Sequence, residues 1–300
     1  MTASHREGQT FDGSSRFVRY VNFVKLPHTV FALPFALVGV VLATYHTPVT
    51  LRSLGWIVLA FTAARFAAMG FNRIADRHFD AKNPRTAMRE LPSGAMAVGE
   101  ATALVIGAMA LFGWAAWELN PLCAMLSPVA LLWICFYSLT KRFTRWSHLV
   151  LGLGMGIAPA GGYLAVTGQW SDPWWLLPAL ALAVMTWGGG FDVMYALQDI
   201  AFDREHGLHS VPAAVGPRVA IRIARGLHVC TVLLLMAAGL GAGRGWIFGL
   251  GVATVASLLL YEHSLVSAED QSKLDAAFFT MNGVISIAFF VFALAERVLA

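Results

Sequence analysis

Apolar residues along this chain gather in nine long runs parted by short polar stretches. The runs lie near 27–46, 53–72, 96–117, 121–139, 147–167, 173–197, 218–240, 244–262 and 275–296. A helix that crosses a bilayer needs about 20 such residues, and each run is close to that length. Inside hydrocarbon the backbone must satisfy its own hydrogen bonds, so helices are expected, and runs this long exclude a β-barrel. The pattern predicts an all-α polytopic membrane protein with about nine transmembrane helices. No linker or shift in composition divides it, so residues 1–300 read as a single integral-membrane domain with a polar cytoplasmic segment at 1–20.

Composition agrees: 58% of the 300 residues are hydrophobic and 13% are charged, where soluble domains carry about 25% charged residues. The basic residues fix an orientation. With the N-terminus in the cytoplasm, seventeen Lys and Arg fall on that side, from Arg6 to Lys273, and only Arg52, Arg244 and Arg297 on the other. That asymmetry is the positive-inside signal of a bacterial-type inner membrane, and a miscounted helix would scramble it. Met1–Arg16 has no apolar core, so no secretory signal peptide is expected. Cys123, Cys135 and Cys230 are scattered in apolar runs and read as small buried side chains. Neither a nucleic-acid partner nor an obligate protein partner is indicated. The expected partners are the lipid bilayer and small molecules.

Two polar stretches interrupt this pattern in register. Asn72, Asp76 and Asp80 close the second run, and Tyr195, Asp199 and Asp203 close the sixth, each pair of positions 123 residues apart. Spacing by four sets both carboxylates of a stretch on one helix face, a turn apart. The offset spans four runs, so the chain reads as two related four-helix halves plus a ninth helix. Each stripe continues inward, to Arg65 in the first half and Asp192 in the second. A charge near the bilayer centre costs about 2.5–3.5 kcal/mol on insertion scales, which makes such residues functional candidates. An Arg65–Asp192 ion bridge would account for two of them, but not for four further aspartates in matched pairs.

Four like charges around one cavity call for a cation. Mg²⁺ takes oxygen ligands and is commonly held by one or two carboxylates plus phosphate oxygens. Asp76, Asp80, Asp199 and Asp203 would then hold magnesium ions against a diphosphate. Arg73, Arg77, Arg85, Arg89, Lys141, Arg142 and Arg204 would complete the anion site. A diphosphate at the cytoplasmic rim above apolar helices suits ionisation of an allylic lipid diphosphate. Gly152, Gly154 and Gly156 read as close-packing positions, because no strand precedes them. Gly188–Gly190 either loosens a helix or serves the stripe beside it.

These residues resemble the UbiA-type intramembrane aromatic prenyltransferases over nearly the whole chain. The resemblance rests on Asn72-x3-Asp76-x3-Asp80, then Arg85-Thr86-x2-Arg89-x-Leu91-Pro92-Ser93-Gly94, then Tyr137-x3-Lys141-Arg142. It extends to Asp192-x2-Tyr195-x3-Asp199-x3-Asp203 and to Arg65. It implies nine helices and Mg²⁺-dependent transfer of a polyprenyl chain from polyprenyl diphosphate to a small aromatic acid. Metal and diphosphate roles follow for Asn72, Asp76, Asp80, Asp199 and Asp203, and diphosphate contacts for Lys141 and nearby arginines. Asn83-Pro-Arg-Thr and the segment around Gly207–Pro212 are similar to the 4-hydroxybenzoate subgroup. Part of that subgroup resembles enzymes acting on 1,4-dihydroxy-6-naphthoate, so the pathway implied is ubiquinone or menaquinone synthesis. Arg73 departs from the Asp that many members carry and bears on the acceptor. Arg65 is assigned to the acceptor carboxylate, and Asp192 or Tyr195 to proton loss. A transporter with buried carboxylate ion sites remains the alternative. A phosphatidyl-alcohol transferase ranks below it, lacking its opening motif.

Overall fold

In the computed structural model the residues described are 15–25, 29–272, 274 and 280–299. Most of the polar N-terminal segment, including Arg6, lies outside them, as do Lys273 and the first residues of the ninth run. All regular structure among the described residues is helical, without strands. Eight helical stretches are long and apolar enough to cross a membrane. In chain order these begin with α3 (Leu51–Asp80), α4 (Val98–Leu119), α5 (Pro121–Thr140) and α6 (Ser147–Thr167). Next come α7 (Leu176–Tyr195), continued through a 3-10 turn (Ala196–Asp199) into α8 (Ile200–Glu205), and then α10 (Pro217–Gly241). The last two are α11 (Trp246–Leu265) and α12 (Asn282–Leu299), while the short α9 (Val211–Val215) links α8 to α10. The first apolar run forms α2 (Thr29–Ala43), shorter than the rest, which makes the ninth helix of the bundle.

One helix begins in the segment, 1–20, expected to be merely polar. α1 (Arg16–Phe23) begins at a Ser15 cap and seats Phe23 and Val24 in a small core with Met96 and Ala101. Tyr20 Oη donates to Glu100 at 2.6 Å and Arg19 donates to the Ala95 carbonyl at 2.7 Å, which fixes α1 beside the start of α4. α3 also outruns its apolar segment. Its 30 residues span about 45 Å at 1.5 Å each, whereas hydrocarbon is about 30 Å thick. The extra turns carry Asn72, Asp76 and Asp80 toward the aqueous rim.

Successive helices pack as neighbours within each half, α3 on α4 and α4 on α5, then α7 on α10 and α10 on α11. α12 closes against α2 and α11. Phe35, Trp187 and Phe289 meet at the centre, with ring centroids 4.7 and 5.8 Å from Phe35. Ile106, Trp117, Met125, Leu132, Leu233 and Leu260 face outward. That surface would be an aggregation liability in water but suits lipid.

The repeat reappears as a helix crossing. A Cβ on Gly39 of α2 would meet the Pro159 carbonyl oxygen of α6 at 1.9 Å, and one on Gly162 would meet that of Ala36 at 2.3 Å. Gly39 and Gly162 stand 123 positions apart, as do Ala36 and Pro159. Each half thus offers the other the same glycine and the same facing carbonyl. Gly152 and Gly156 allow the equally close approach of α6 to α7, with the Met185 and Ala181 oxygens 2.2 Å from a built Cβ. Gly189 and Gly190 admit Leu149 on one side and His228 on the other. The glycine triplet is therefore a packing device within an unbroken helix.

Candidate active site

A cavity of about 660 Å³ runs between α2, α3, α5, α6 and α7. Along α3 it is lined from Ile57 to Asp80, a length of about 35 Å at 1.5 Å per residue. Phe61, Arg65, Ala68, Asn72, Asp76 and Asp80 recur at helical spacing on that one face. The far end is apolar, with Leu119, Leu126, Ile134, Met155 and Leu164. The near end is polar: Asp76 and Asp80 of α3 face Asp192, Tyr195, Asp199 and Asp203 of the second half, with Lys141 and Arg142 at the end of α5. The connection after α3 turns back over the rim and adds Asn83, Arg85 and Arg89.

The rim charges are already coupled. Asn72 Nδ2 donates to Asp76 Oδ2 at 2.8 Å, and Arg142 stands 3.5 Å from the other Asp76 oxygen. Arg89 Nη1 reaches both Asp80 oxygens, at 2.8 and 2.9 Å. Arg85 takes Asp199 with a two-pronged grip, Nη2 to Oδ2 at 2.8 Å and Nε to Oδ1 at 3.2 Å. Such a fork matches carboxylate and phosphate geometry alike. Asn83 donates to the same Asp199 oxygen at 3.2 Å, and Arg85 lies 5.4 Å from the Tyr195 ring centroid. Burial alone would lower the Lys141 pKa, but Asp203, Asp192, Asp199 and Asp76 overcome it and raise the value, so the ammonium stays charged. Asp203 Oδ2 is buried without a hydrogen-bond partner.

Among the described residues no three His, Cys, Asp or Glu side chains form a ready-made metal centre. The two carboxylate pairs instead share one end of the cavity, with cations between. Arg65 lies deeper on the α3 stripe, where its Nε is buried without a hydrogen-bond partner. It does not bridge to Asp192, whose Oδ2 is 2.6 Å from His148 Nδ1.

Three predicted cations sit elsewhere. Arg77 donates to the Ile74 carbonyl at 2.8 Å and Arg204 to that of Ala213 at 2.9 Å, and neither lines the cavity. Arg73 is buried on the α3 face shared with Gly70, which packs toward Phe23 and Val105, so it does not face an acceptor in the cavity. Asn83, Tyr137 and Lys25 line the cavity without having been singled out as site residues, and His148 stands behind Asp192. The offset held a signal for two of them, since Lys25 and His148 are also 123 apart.

The sequence profile of the UbiA prenyltransferase family matches residues 32–284. A 4-hydroxybenzoate octaprenyltransferase of Aromatoleum aromaticum is 32% identical over 226 residues, covering 75% of each chain. The apo structure of a UbiA homolog from Aeropyrum pernix K1 superposes with a TM-score of 0.78 at 32% identity, covering 91% of this chain and 98% of that one. A UbiA homolog from Archaeoglobus fulgidus bound to DMAPP and Mg²⁺ shares the fold at 20% identity. Its TM-score is 0.73, covering 94% of this chain and all of the other.

Proposed function

The chain belongs to the UbiA prenyltransferase family, and on that footing we propose that it transfers a polyprenyl group from polyprenyl diphosphate to a small aromatic acid for quinone synthesis. The observation that carries this reading is the polarity of one cavity. Carboxylates and cations from both halves crowd its rim, and a largely apolar passage continues behind them as far as Ile57. The arginines and lysines of the rim support a cytoplasmic position for it.

The donor set suits Mg²⁺. All four aspartates offer hard oxygen ligands, Asp203 holds a buried oxygen without a partner, and diphosphate oxygens would fill the remaining positions. Asp76 and Asp80 would hold metal from one side, Asp199 and Asp203 from the other. Bound there, the metal would neutralise phosphate charge and stabilise the departing diphosphate. Arg85 and Arg89 now neutralise Asp199 and Asp80, and diphosphate oxygens would offer their guanidiniums an equivalent partner. Lys141, Arg142 and Asn72 complete the anion site.

In the reaction the allylic C–O bond breaks, and its electron pair leaves with the diphosphate. A π pair of the acceptor ring forms the new C–C bond to the allylic cation. The ring proton then passes to the Asp192 carboxylate, and the C–H pair restores aromaticity. The Tyr195 ring, beside Arg85, flanks the reacting end. Arg65 would bind the acceptor's carboxylate through donors that the protein leaves available.

The name of the Aromatoleum relative supports 4-hydroxybenzoate as acceptor. Mass spectrometry of products from membranes given Mg²⁺, a polyprenyl diphosphate and either 4-hydroxybenzoate or 1,4-dihydroxy-6-naphthoate decides between them. Product from neither acid would sink the aromatic-acid reading, and substrate flux in proteoliposomes without any product would favour a transporter. Arg65→Gln should raise KM for the acid by about 10–100-fold, the equivalent of about 1.5–3 kcal/mol for a hydrogen bond to a charged group. KM for the prenyl diphosphate should stay unchanged. An unchanged KM for the acid would remove Arg65 from this role.

A further inference from the structure

His148, in the first turn of α6, is fully buried and has both ring nitrogens engaged. The Val211 backbone N–H donates to Nε2 at 3.3 Å. Nε2 therefore presents its lone pair, and the single proton of the neutral ring sits on Nδ1. Nδ1–H points at Asp192 Oδ2, 2.6 Å away. The Val211 N–H thus fixes the Nε2 side of the ring as acceptor and leaves Nδ1 to face Asp192. Among the described residues Asp192 takes no other hydrogen bond, and its carboxylate lines the cavity.

We propose that His148 is a positioning residue: its backbone-locked ring orients the Asp192 carboxylate toward the acceptor and reserves one oxygen for the reaction's proton. This rests on the reading of Asp192 as proton acceptor and deepens it. The lock also ties chemistry to the substrate side. Val211 opens α9, directly after the segment in which the His209 N–H donates to the Lys141 carbonyl at 2.7 Å. The segment that braces Lys141 thus also sets the tautomer of His148. A carboxylate left to rotate would lose the alignment on which proton transfer depends.

The ring's job is to accept from Val211 and donate to Asp192. A glutamine does both, with Oε1 and Nε2, whereas leucine and phenylalanine fill similar volume and do neither. The test uses full-length protein in nanodiscs with Mg²⁺, geranyl diphosphate and whichever of the two acids yields product. His148→Gln should keep kcat within about threefold of wild type, while His148→Leu and His148→Phe lower it by about 10–100-fold, the usual effect of removing a supporting partner. KM for geranyl diphosphate should not move. A ring-deuterated acceptor should show a primary isotope effect on kcat in the apolar variants that is absent from wild type, because proton loss has become slow. Two apolar variants are read so that one that misfolds does not silence the test. Wild-type kcat in a folded apolar variant, with Asp192→Asn inactive, overturns the positioning role alone. Full activity in Asp192→Asn overturns the reading beneath it. Equal loss in the glutamine and apolar variants without an isotope effect reduces His148 to packing and also overturns the proposal.

Discussion

Asp76→Ala and Asp199→Ala should each cut Mg²⁺-dependent prenyl transfer by at least about 10³-fold, the scale on which a preorganised electrostatic partner acts. The two residues sit in matching positions of the two halves and line the same end of the cavity. Loss of either removes one of the two carboxylates on its side of the cavity. The substitutions differ in what they leave behind. Without Asp199, the Arg85 fork and the Asn83 amide both lose this carboxylate acceptor. Without Asp76, Asn72 loses its hydrogen-bond acceptor and Arg142 its ion-pair partner. Asp199→Asn separates the effects, because it keeps an oxygen for Arg85 but removes the charge. Initial rates of purified protein across a magnesium titration are the measurement. Normal transfer by both alanine variants would end the metal-clamp reading.

The second large effect concerns folding. Gly39→Ala and Gly162→Ala should each destabilise the protein by more than about 3 kcal/mol, at or beyond the upper end of overpacking costs. The added methyl would have to displace a backbone carbonyl 1.9 or 2.3 Å away, not a side chain that can rotate. Gly55→Ala, with nothing within 4 Å of its built Cβ, is the control. Because both substitutions strain one crossing, a single outward shift of α2 relieves both, and the double variant should cost less than the sum. Thermal melts in detergent read all four proteins. Gly39→Ala melting with the control would mean that α2 and α6 do not meet so closely.

The helices were legible because hydrocarbon imposes one requirement on every residue that crosses it. The stripes were legible because a period of 3.6 carries from Arg65 to Asp76 without tertiary information. The same period also bears on the arginines. Arg73 and Arg77 each follow a stripe residue by one position, which turns them about 100° off its face, and the structure places both away from the cavity. Reading them with the site gave weight to charge and too little to angle. Asn83, Arg85 and Arg89 reach the rim through a connection whose path no period describes. His148 was hidden differently. A histidine opening an apolar run looks like any span end until Val211, 63 residues later, is folded against it.

The crossing of α2 and α6 has a consequence for how the catalytic chamber is owned. Residue i of one half meets residue j of the other while j meets i, which is the signature of an isologous contact in a two-fold dimer. Four crossings separate the halves, so α2 and α6 enter the bilayer in the same direction and the pseudo-axis stands along the membrane normal. The chain is built like a pair of four-helix subunits fused head to tail, and its chamber corresponds to a subunit interface. The halves differ at matching positions around the site. Asn72 stands where the other half has Tyr195 and Lys25 where it has His148, and only one side carries the arginine-bearing return loop.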